Sequence, residues 1–337
     1  MTAPPPATDR PDVIVVGDVM TDVVARLDGP LAAGSDTPAR ITSHHGGSGA
    51  NTAVWLAVAG QAVAFVGRVG ADGPGRDAAA ALRAAGVDVQ VRPDPDRCTG
   101  TCVVLVGPDG ERSMLPDAGA NSGLHPDQLP TGLFRAGAHL HVSGYTLLNP
   151  YSREAGLAAL RRARSSGMSS SVDASSSAPL AAVGADRFLA WCTGIDLMFA
   201  NAAEATLLAG ALPGEPVGQP ADPGTIASAL TARFAEVVVK LGAGGAVWCD
   251  AVSAPEYGVA EPVAGPVDTT GAGDAFAAGF LGSWLGGADP ATALRAGARL
   301  AARAVRGTGA RPNATGARPS TTDSLPTTTD ARPRPTV

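Results

Sequence analysis

The sequence predicts an α/β fold in which a parallel sheet is covered by helices on both faces. Short apolar runs rich in β-branched residues are typical of buried strands. These runs alternate with segments of helical pattern, as a parallel sheet with crossover helices requires. The predicted strands lie at residues 13–17, 63–67, 140–143, 170–173, 197–200 and 237–240, and the predicted helices at 49–59, 77–85, 152–165, 202–208 and 225–234.

Two segments interrupt this alternation and predict a second, smaller sheet. Residues 23–45 hold two extended stretches around an Asp-Gly-Pro turn. Residues 88–117 contain a hairpin whose turn is Gly107-Pro108-Asp109-Gly110. We expect this small sheet to act as a lid over a ligand cleft, with an ordinary surface hairpin as the alternative.

Composition narrows the classes of function. The chain has 337 residues, is 45% hydrophobic and carries a formal net charge of −6 without a basic block, so nucleic acid is not an expected partner. No apolar run approaches a membrane span, and the Pro-rich start lacks the features of a signal peptide, so we expect a cytoplasmic protein. Residues 1–11 and the Thr- and Pro-rich residues 314–337 are predicted to be disordered, which leaves one domain over 12–313.

Two residue types exclude further classes. Lys240 is the only lysine among 25 basic residues, so no Gly-Lys pair exists and a Walker A phosphate loop is excluded. The four cysteines do not form paired motifs with zinc-ligand spacing. Four of the five histidines also lack metal spacing, and we expect them to be solvated or core residues: His44, His45, His139 and His141.

The most informative motif is the run Asp-Thr-Thr-Gly-Ala-Gly-Asp-Ala-Phe at residues 268–276. Small residues before an aspartate, followed by an apolar run, predict a tight turn that opens into a buried helix. Such a turn leaves backbone N–H groups free to hold an anion. Asp274 would lie beside that anion, where a carboxylate can take a proton from an attacking hydroxyl.

A second glycine-rich run, Gly-Gly-Ser-Gly-Ala-Asn at residues 46–51, precedes a predicted helix. Glycines allow a ligand to approach the backbone, and the Asn51 amide suits sugar hydroxyls. The spacing does not fit a dinucleotide loop, and a packing turn is the alternative. Asp18 and Asp22 flank the end of the first strand, where a carboxylate either binds ligand hydroxyls or caps a turn.

Two more groups follow later strands. Asn201 and Glu204 lie one helical turn apart, and they either position magnesium-bound water near phosphates or form a helix cap. The run from Lys240 to residue 246 is rich in glycine. Its backbone either contacts a nucleotide or makes a hairpin turn.

These motifs, in this order, resemble the ribokinase (PfkB-type) carbohydrate kinases over roughly residues 12–313. The resemblance implies a ribokinase-like three-layer α/β/α sandwich with a central mostly parallel sheet and a small β-sheet lid. It implies ATP with Mg2+, a sugar or nucleoside hydroxyl as acceptor, and in many members a monovalent cation such as K+. Lid-mediated homodimers are common in the family, so a homodimer through the lid is a further expectation.

The resemblance also implies roles for individual residues. Asp274 matches the catalytic base, and its neighbours match the anion hole: Gly271, Ala272 and Gly273. Acceptor-binding positions are matched by Asp22, Gly46, Gly47 and Asn51, and nucleotide-side positions by Asn201, Glu204, Lys240, Gly242 and Gly245. The positions of monovalent-cation ligands are matched by Asp268, Thr270, Ala304, Gly307, Gly309 and Asn313.

The chain departs from ribokinases proper at three positions. Ser48 stands where they usually carry lysine, no carboxylate occurs near Ser143, and Ala298 stands where a polar residue near the adenine is common. The resemblance therefore assigns neither ribose as the acceptor nor the residues that contact adenine. A sugar kinase is the first hypothesis. A nucleoside kinase for adenosine, uridine or pseudouridine and a keto-deoxy-sugar-acid kinase that uses Arg112 stay open. A catalytically silent sugar-binding protein is a remote alternative.

Overall fold

A computed structural model describes residues 12–213 and 222–312. The two segments predicted to be disordered, 1–11 and 314–337, lie outside these ranges. None of the described helices is long and apolar enough to cross a membrane.

Two sheets account for all strands in the described residues. In chain order the strands are β1 Val13–Val16, β2 Met20–Leu27, β3 Ala39–Gly46, β4 Val63–Gly70, β5 Asp88–Asp94, β6 Gly100–Val106, β7 Arg112–Asp117, β8 His139–Ser143, β9 Ser169–Asp173, β10 Leu197–Asn201, β11 Glu236–Lys240, β12 Ala246–Asp250 and β13 Glu256–Gly258. The larger sheet has the order β13-β12-β11-β10-β9-β8-β1-β4-β5, and the smaller has the order β3-β2-β6-β7.

Helices cover both faces of the large sheet, which confirms the predicted three-layer fold. The helices are α1 Ser48–Val58, α2 Gly73–Ala84, α3 Gly144–Leu148, α4 Arg153–Ser165, α5 Ser177–Val183, α6 Ala185–Trp191, α7 Ala202–Gly210, α8 Pro223–Leu230, α9 Ala272–Trp284 and α10 Pro290–Ala304. One buried core combines strand side chains with α3–α8, and the other combines them with α1, α2, α9 and α10.

The large sheet is parallel from β5 to β11 and antiparallel at its other edge. β11 joins β12 through a short turn at Gly242–Gly244, and the two strands pair antiparallel. This turn is too short for a crossover connection, so the chain must reverse as a hairpin.

The lid boundaries differ from the prediction at residues 88–94. This segment is β5 and pairs in parallel with β4, with Val89 opposite Phe65. Because α2 supplies the crossover between β4 and β5, the segment completes a βαβ unit of the large sheet. The second part of the lid therefore begins at β6.

The lid is the small sheet β3-β2-β6-β7. β2 pairs antiparallel with β3 and parallel with β6, and β6 pairs antiparallel with β7. A small apolar core holds the strands together and contains Met20, Cys102, Val104 and Val106. β2 begins only four residues after β1 ends, so the lid is joined directly to the centre of the large sheet.

His139 and His141 lie inside the fold, on β8. Both are buried, and both accept or donate hydrogen bonds at 2.8 Å with the hydroxyl of Ser171. Burial lowers the pKa of His139 to about 3 and that of His141 to about 4. These histidines are therefore neutral core residues, which is one of the two expectations for them.

Candidate active site

A cavity of about 1420 Å³ lies between the lid and the carboxyl ends of the parallel strands. Its wall includes Gly17 after β1, Asp173 at the end of β9 and Lys240 at the end of β11. Ligands of parallel-sheet proteins bind at this edge of the sheet. The cavity also contains the start of α9, so the sequence motifs converge on one place.

The start of α9 presents free backbone amides to this cavity. Gly271 is the N-cap residue with a φ of 75°, in the left-handed region that favours glycine. Among the described residues, no acceptor receives the amides of Gly271, Gly273 or Asp274. The Ala272 amide differs from the prediction, because it donates to the Thr269 carbonyl at 3.3 Å. The remaining three amides form a helix N-terminus suited to an anion.

The Asp274 carboxylate lies beside these amides and is held by two side chains of the Gly-rich loop. Ser48 Oγ donates to Oδ1 at 2.8 Å, and Asn51 Nδ2 donates to Oδ2 at 2.9 Å. Burial raises the pKa of Asp274 to about 7, and the Asp173 carboxylate adds to the rise. A carboxylate with this pKa can accept a proton near neutral pH.

Asp22, Gly46 and Gly47, the predicted acceptor-binding residues, lie together, with Asp22 and Gly47 at the cavity wall. Gly46 packs directly against the Asp22 carboxylate, and any side chain there would collide with it. Burial raises the pKa of Asp22 to about 6. Gly47 has a φ of 92° and an added Cβ would lie 2.5 Å from the Asp18 carbonyl oxygen. The backbone of Asp18 therefore requires glycine at Gly47, whereas a side chain at Gly46 would displace the Asp22 carboxylate.

Asp18 supports the loop. It accepts the amides of Ser48 at 2.9 Å and Gly49 at 3.1 Å. It also accepts the Ser143 hydroxyl at 2.9 Å. These bonds fix the first turn of α1, so Asp18 acts as a structural carboxylate at the cavity wall.

Asn201 and Glu204 form the reciprocal helix cap that was the structural alternative for them. Glu204 N donates to Asn201 Oδ1 at 2.9 Å, and Asn201 N donates to Glu204 Oε2 at 2.8 Å. Both residues still line the cavity. Burial raises the pKa of Glu204, and the nearby Asp173 adds to the rise.

Lys240 pairs with Asp173 across the floor of the cavity. The distance between Lys240 Nζ and Asp173 Oδ2 is 2.5 Å. Burial alone would lower the pKa of Lys240, but the carboxylates of Asp173 and Glu204 outweigh it and raise the pKa. A Cβ added to Gly273 would lie 3.4 Å from the ammonium. The only lysine of the chain thus lies next to the free amides of α9.

The glycines after β11 form the tight reversal between β11 and β12. Gly242 has a φ of 58° and Gly245 a φ of 93°, and both line the cavity. A side chain at Gly245 would collide with the Gly258 carbonyl oxygen. This turn lies beside Lys240 and lines the cavity. It is therefore a hairpin turn whose backbone can also contact a ligand.

Magnesium fits the carboxylates of this end of the cavity. No group of three or more His, Cys, Asp or Glu side chains that could hold a metal occurs in the part of the chain that the structure describes. Asp173 and Glu204 nevertheless face the same cavity. Asp173 is already paired with Lys240, and both Glu204 oxygens accept from Asn201, so these carboxylates suit a magnesium ion that keeps its waters and takes its direct ligands from phosphate.

The predicted monovalent-cation positions are only partly brought together. Asp268 Oδ1 accepts the Thr270 amide at 2.9 Å, and Oδ2 accepts the Gly309 amide at 3.1 Å. Gly307 N donates to the Ala304 carbonyl at 3.1 Å. Asn313 lies outside the described residues.

The lid reaches the Asp268 carboxylate through Arg112. Its Nη1 lies 2.9 Å from Asp268 Oδ1 and donates to Thr270 Oγ1 at 2.7 Å. Asp268 is the only carboxylate in the predicted cation set. Since a guanidinium already balances its charge, the electrostatic fit to a second cation is weak.

Three features were missed at the level of sequence. Asp173 ends a predicted strand, and its position at the carboxyl end was a usable signal. The bond from Ser48 to Asp274 spans 226 residues, and no local pattern indicates it. Arg311 contacts Asn51, yet nothing in the sequence separates it from the other arginines.

Comparisons with known proteins agree with this arrangement. The chain matches the pfkB family carbohydrate kinases over residues 10–315. It is 32% identical over 285 residues to the ATP-dependent ribose-1-phosphate kinase of Halopiger xanaduensis, with 84% of this chain and 88% of that protein covered. It is 32% identical over 273 residues to the ribokinase of Mus musculus, with 78% and 79% covered.

Two solved structures share the fold. Adenosine kinase from Sinorhizobium meliloti superposes with a TM-score of 0.80 at 26% identity, covering 90% of this chain and 97% of that one. Arabidopsis thaliana ribokinase complexed with ribose and ATP superposes with a TM-score of 0.74 at 25% identity, covering 90% and 96%.

Fold, site and relatives define an enzyme class: a phosphotransferase with an alcohol group as acceptor. Within that class, the chain belongs to the pfkB family of carbohydrate kinases, because the family match covers all of the described residues. Membership implies ATP as the phosphoryl donor.

Proposed function

We propose that this chain transfers the γ-phosphoryl group of ATP to a hydroxyl of a sugar, with Asp274 as the general base. One observation carries the proposal. The Asp274 carboxylate lies at the cavity wall, beside three amides that have no acceptor in residues 12–213 and 222–312. A base and an anion site in contact are what in-line phosphoryl transfer needs from a protein.

The residues of the site would act in a single displacement. Asp274 takes the proton of the acceptor hydroxyl while its oxygen forms a bond to the γ-phosphorus, and the bond from that phosphorus to the β,γ-bridging oxygen breaks to release ADP. Hydrogen bonds from Ser48 and Asn51 orient the carboxylate. The amides of Gly271, Gly273 and Asp274 hold the charge of the group in transit.

The nucleotide side is served by a second set of groups. Magnesium, when bound with ATP, neutralises the charge on the phosphate oxygens. Asp173 and Glu204 would hold it through water, with Asn201 beside them. Lys240 would add positive charge next to Gly273, and the backbone at Gly242 and Gly245 would lie against the nucleotide.

Activation by potassium is a separate proposal that rests on family resemblance. Its test is a titration of activity with KCl at constant ionic strength, with choline chloride as the control salt. Stimulation by potassium alone would support a site at Asp268, Thr270, Ala304, Gly307 and Gly309. Equal rates in both salts would mean that the Arg112 guanidinium suffices there.

The variant Asp274→Asn tests the proposed function. Removing a positioned general base should lower kcat by ~10²-fold or more while ATP still binds. The control is Asp36→Asn, which changes an exposed lid-loop carboxylate. The assay couples ADP release to a panel of sugars, sugar acids and nucleosides. Near-normal kcat in Asp274→Asn would refute the assignment, and no ADP release by the parent protein with any acceptor would favour the silent sugar-binding alternative.

A nucleoside acceptor is the second candidate, because apolar lid side chains face the cavity. The lining contributed by the lid includes Met20, Cys102, Met114 and Pro116. Such a surface suits the flat base of a nucleoside better than a bare polyol, whose hydroxyls need polar partners. The decisive comparison is ribose against adenosine, uridine and pseudouridine at equal concentration.

A sugar-acid acceptor has weaker support. It would need a basic residue over the acceptor, and the Arg112 guanidinium is instead paired with Asp268 and Thr270. The same acceptor panel includes keto-deoxy-sugar acids and would detect this activity.

Pairing of two copies through the lid also stays a proposal. The outer lid exposes apolar side chains, with Ile41 65% and Leu115 54% accessible. Burial of such a surface against a second copy is favourable. Light scattering on the protein and on Ile41→Asp should show a dimer only for the former. Cytoplasmic location stays a prediction from sequence.

A further inference from the structure

The Arg311 guanidinium is buried beside Asn51, which in turn contacts Asp274, the candidate base. Arg311 follows α10, in the loop that closes over the Gly-rich turn. Burial lowers its pKa to about 10, and the carboxylates of Asp22 and Asp274 oppose that change. Its Nη1 is buried and has no hydrogen-bond partner in the part of the chain that the structure describes. An unpaired buried donor costs stability, so the residue is not optimised for folding alone.

Within the described part of the chain the guanidinium makes two hydrogen bonds, and both go to the Gly-rich run at residues 46–51. Nε donates to Asn51 Oδ1 at 2.9 Å, and Nη2 donates to the Gly46 carbonyl at 2.8 Å. Arginine has only donors, so the oxygen of the Asn51 amide must face it. The amide nitrogen then faces Asp274, to which it donates at 2.9 Å.

This arrangement selects one of two amide orientations. If the Asn51 amide were reversed, its NH2 group would face the guanidinium and its oxygen would face the Asp274 carboxylate. Both contacts would then be repulsive. Arg311 and the Asp274 carboxylate therefore both favour the orientation in which the Asn51 amide donates to Asp274 Oδ2, while Ser48 donates to Oδ1.

The loop that carries Arg311 is itself anchored. Trp55 Nε1 in α1 donates to the Ala310 carbonyl at 2.9 Å, and the neighbouring Gly309 amide donates to Asp268 at 3.1 Å. Ala310 also packs against Gly271, where an added Cβ would lie 2.6 Å away. The backbone next to Arg311 is therefore held in place relative to both α1 and the start of α9.

We infer that Arg311 is a positioning residue, which orients the Asn51 amide and through it the Asp274 carboxylate for proton transfer. This inference rests on the proposed function, since it presupposes that Asp274 is the base. Arg311 does not touch the reacting atoms. Its effect should appear in the rate of the chemical step, because a small displacement of a catalytic group is costly in rate.

The test is a double-mutant cycle between Arg311 and Asp274. Arg311→Met keeps an unbranched stem that reaches about as far as Nε and removes the hydrogen-bond donors. We expect it to lower kcat by between ~10- and ~100-fold, with the KM for ATP within about twofold of the parent value. Arg311→Gln retains an amide donor and should recover part of that loss. Combining Arg311→Met with Asp274→Asn should lower kcat no further than Asp274→Asn alone.

A matched control separates positioning from folding. Arg299 lies in α10 and is exposed, and in the described residues it makes no hydrogen bond or ion pair with Asn51, Trp55 or Asp274. Arg299→Met should leave kcat unchanged. Melting temperatures and ATP binding by calorimetry are measured for every variant, and Arg311→Gln serves as the test variant if Arg311→Met does not fold.

Three results would overturn the inference. An unchanged kcat in Arg311→Met or Arg311→Gln would show that Asp274 needs no such support. If kcat of the double variant fell by the product of the two single-variant losses, Arg311 would act independently of Asp274. A rise in the KM for ATP with constant kcat would indicate a binding role. Retained activity in Asp274→Asn would instead refute the proposed function, which keeps the two failures distinct.

Discussion

The hydrogen bond from Ser48 to Asp274 should control the pH at which the enzyme becomes active. Asp274 can act as a base only when ionised, and burial raises its pKa to about 7. Activity should therefore fall as the pH drops below about 7. Ser48 Oγ donates to the ionised carboxylate at 2.8 Å and lowers this pKa, so Ser48→Ala should move the acid limb to higher pH.

The size of the shift follows from the energy of the bond. A hydrogen bond to a charged group contributes about 1.5 kcal/mol, and one pKa unit corresponds to about 1.4 kcal/mol. The pKa of Asp274 should therefore rise by about one unit in Ser48→Ala. The ionised fraction at pH 7 would fall from about one half to about one tenth, a loss of roughly fivefold in kcat/KM. Well above both pKa values the effect of ionisation disappears, and the loss of kcat/KM that remains in Ser48→Ala measures how far Ser48 also orients the carboxylate.

The assay measures kcat/KM from acid to alkaline pH by coupled ADP release, because this quantity reports ionisation of the free enzyme. The control is Ser165→Ala, which removes an exposed hydroxyl from the end of α4. Identical acid limbs for Ser48→Ala and the parent protein would refute the reasoning. A uniform loss at every pH would assign Ser48 to binding or transfer instead.

Three other perturbations test the site and the core. Lys240→Met leaves the Asp173 carboxylate buried without its partner, so the free energy of unfolding should fall by about 3 kcal/mol in denaturant titrations, and an unchanged value would contradict the pairing. Gly271→Ala combines a positive φ with a collision at Ala310, and we expect loss of kinase activity while circular dichroism stays native; full activity would exclude a role for the turn. The folded pKa of His139 lies below its unfolded value, so stability from this residue is lost as the pH falls below about 6.5. The stability difference between the parent protein and His139→Gln should therefore shrink by about 1.4 kcal/mol between pH 8 and pH 5.5, and a constant difference would mean that His139 is not held neutral.

Local sequence was sufficient for six of the nine strands of the large sheet in the described residues, but not for β5, β12 and β13. The six predicted strands and the intervening helices are present, because buried parallel strands require continuous apolar runs and these runs are visible in the chain. The helix predicted at 225–234 instead begins at Pro223 and ends at Leu230, where proline at the first position and Asp222 as cap set its start.

Residues 88–94 show where local pattern was insufficient. Their extended character was predicted, but their sheet was not. A strand pairs with the sheet edge that is free when the chain reaches it. After α2 the chain returns to the large sheet, where the edge of β4 is free and pairs with β5. The neighbouring hairpin pairs with β2 and forms the lid, although it is continuous in sequence with β5.

By itself the sequence determined the chemistry that is available: a turn with free amides, an aspartate that follows it and a Gly-rich loop. It could do so because turns and helix starts depend on residues that are adjacent in the chain. Only the tertiary structure decided how that chemistry is held. Ser48, Asn51 and Arg311 reach Asp274 or its partner across 223 to 260 residues. Contacts of this kind arise when separate elements pack together, and no local pattern encodes them.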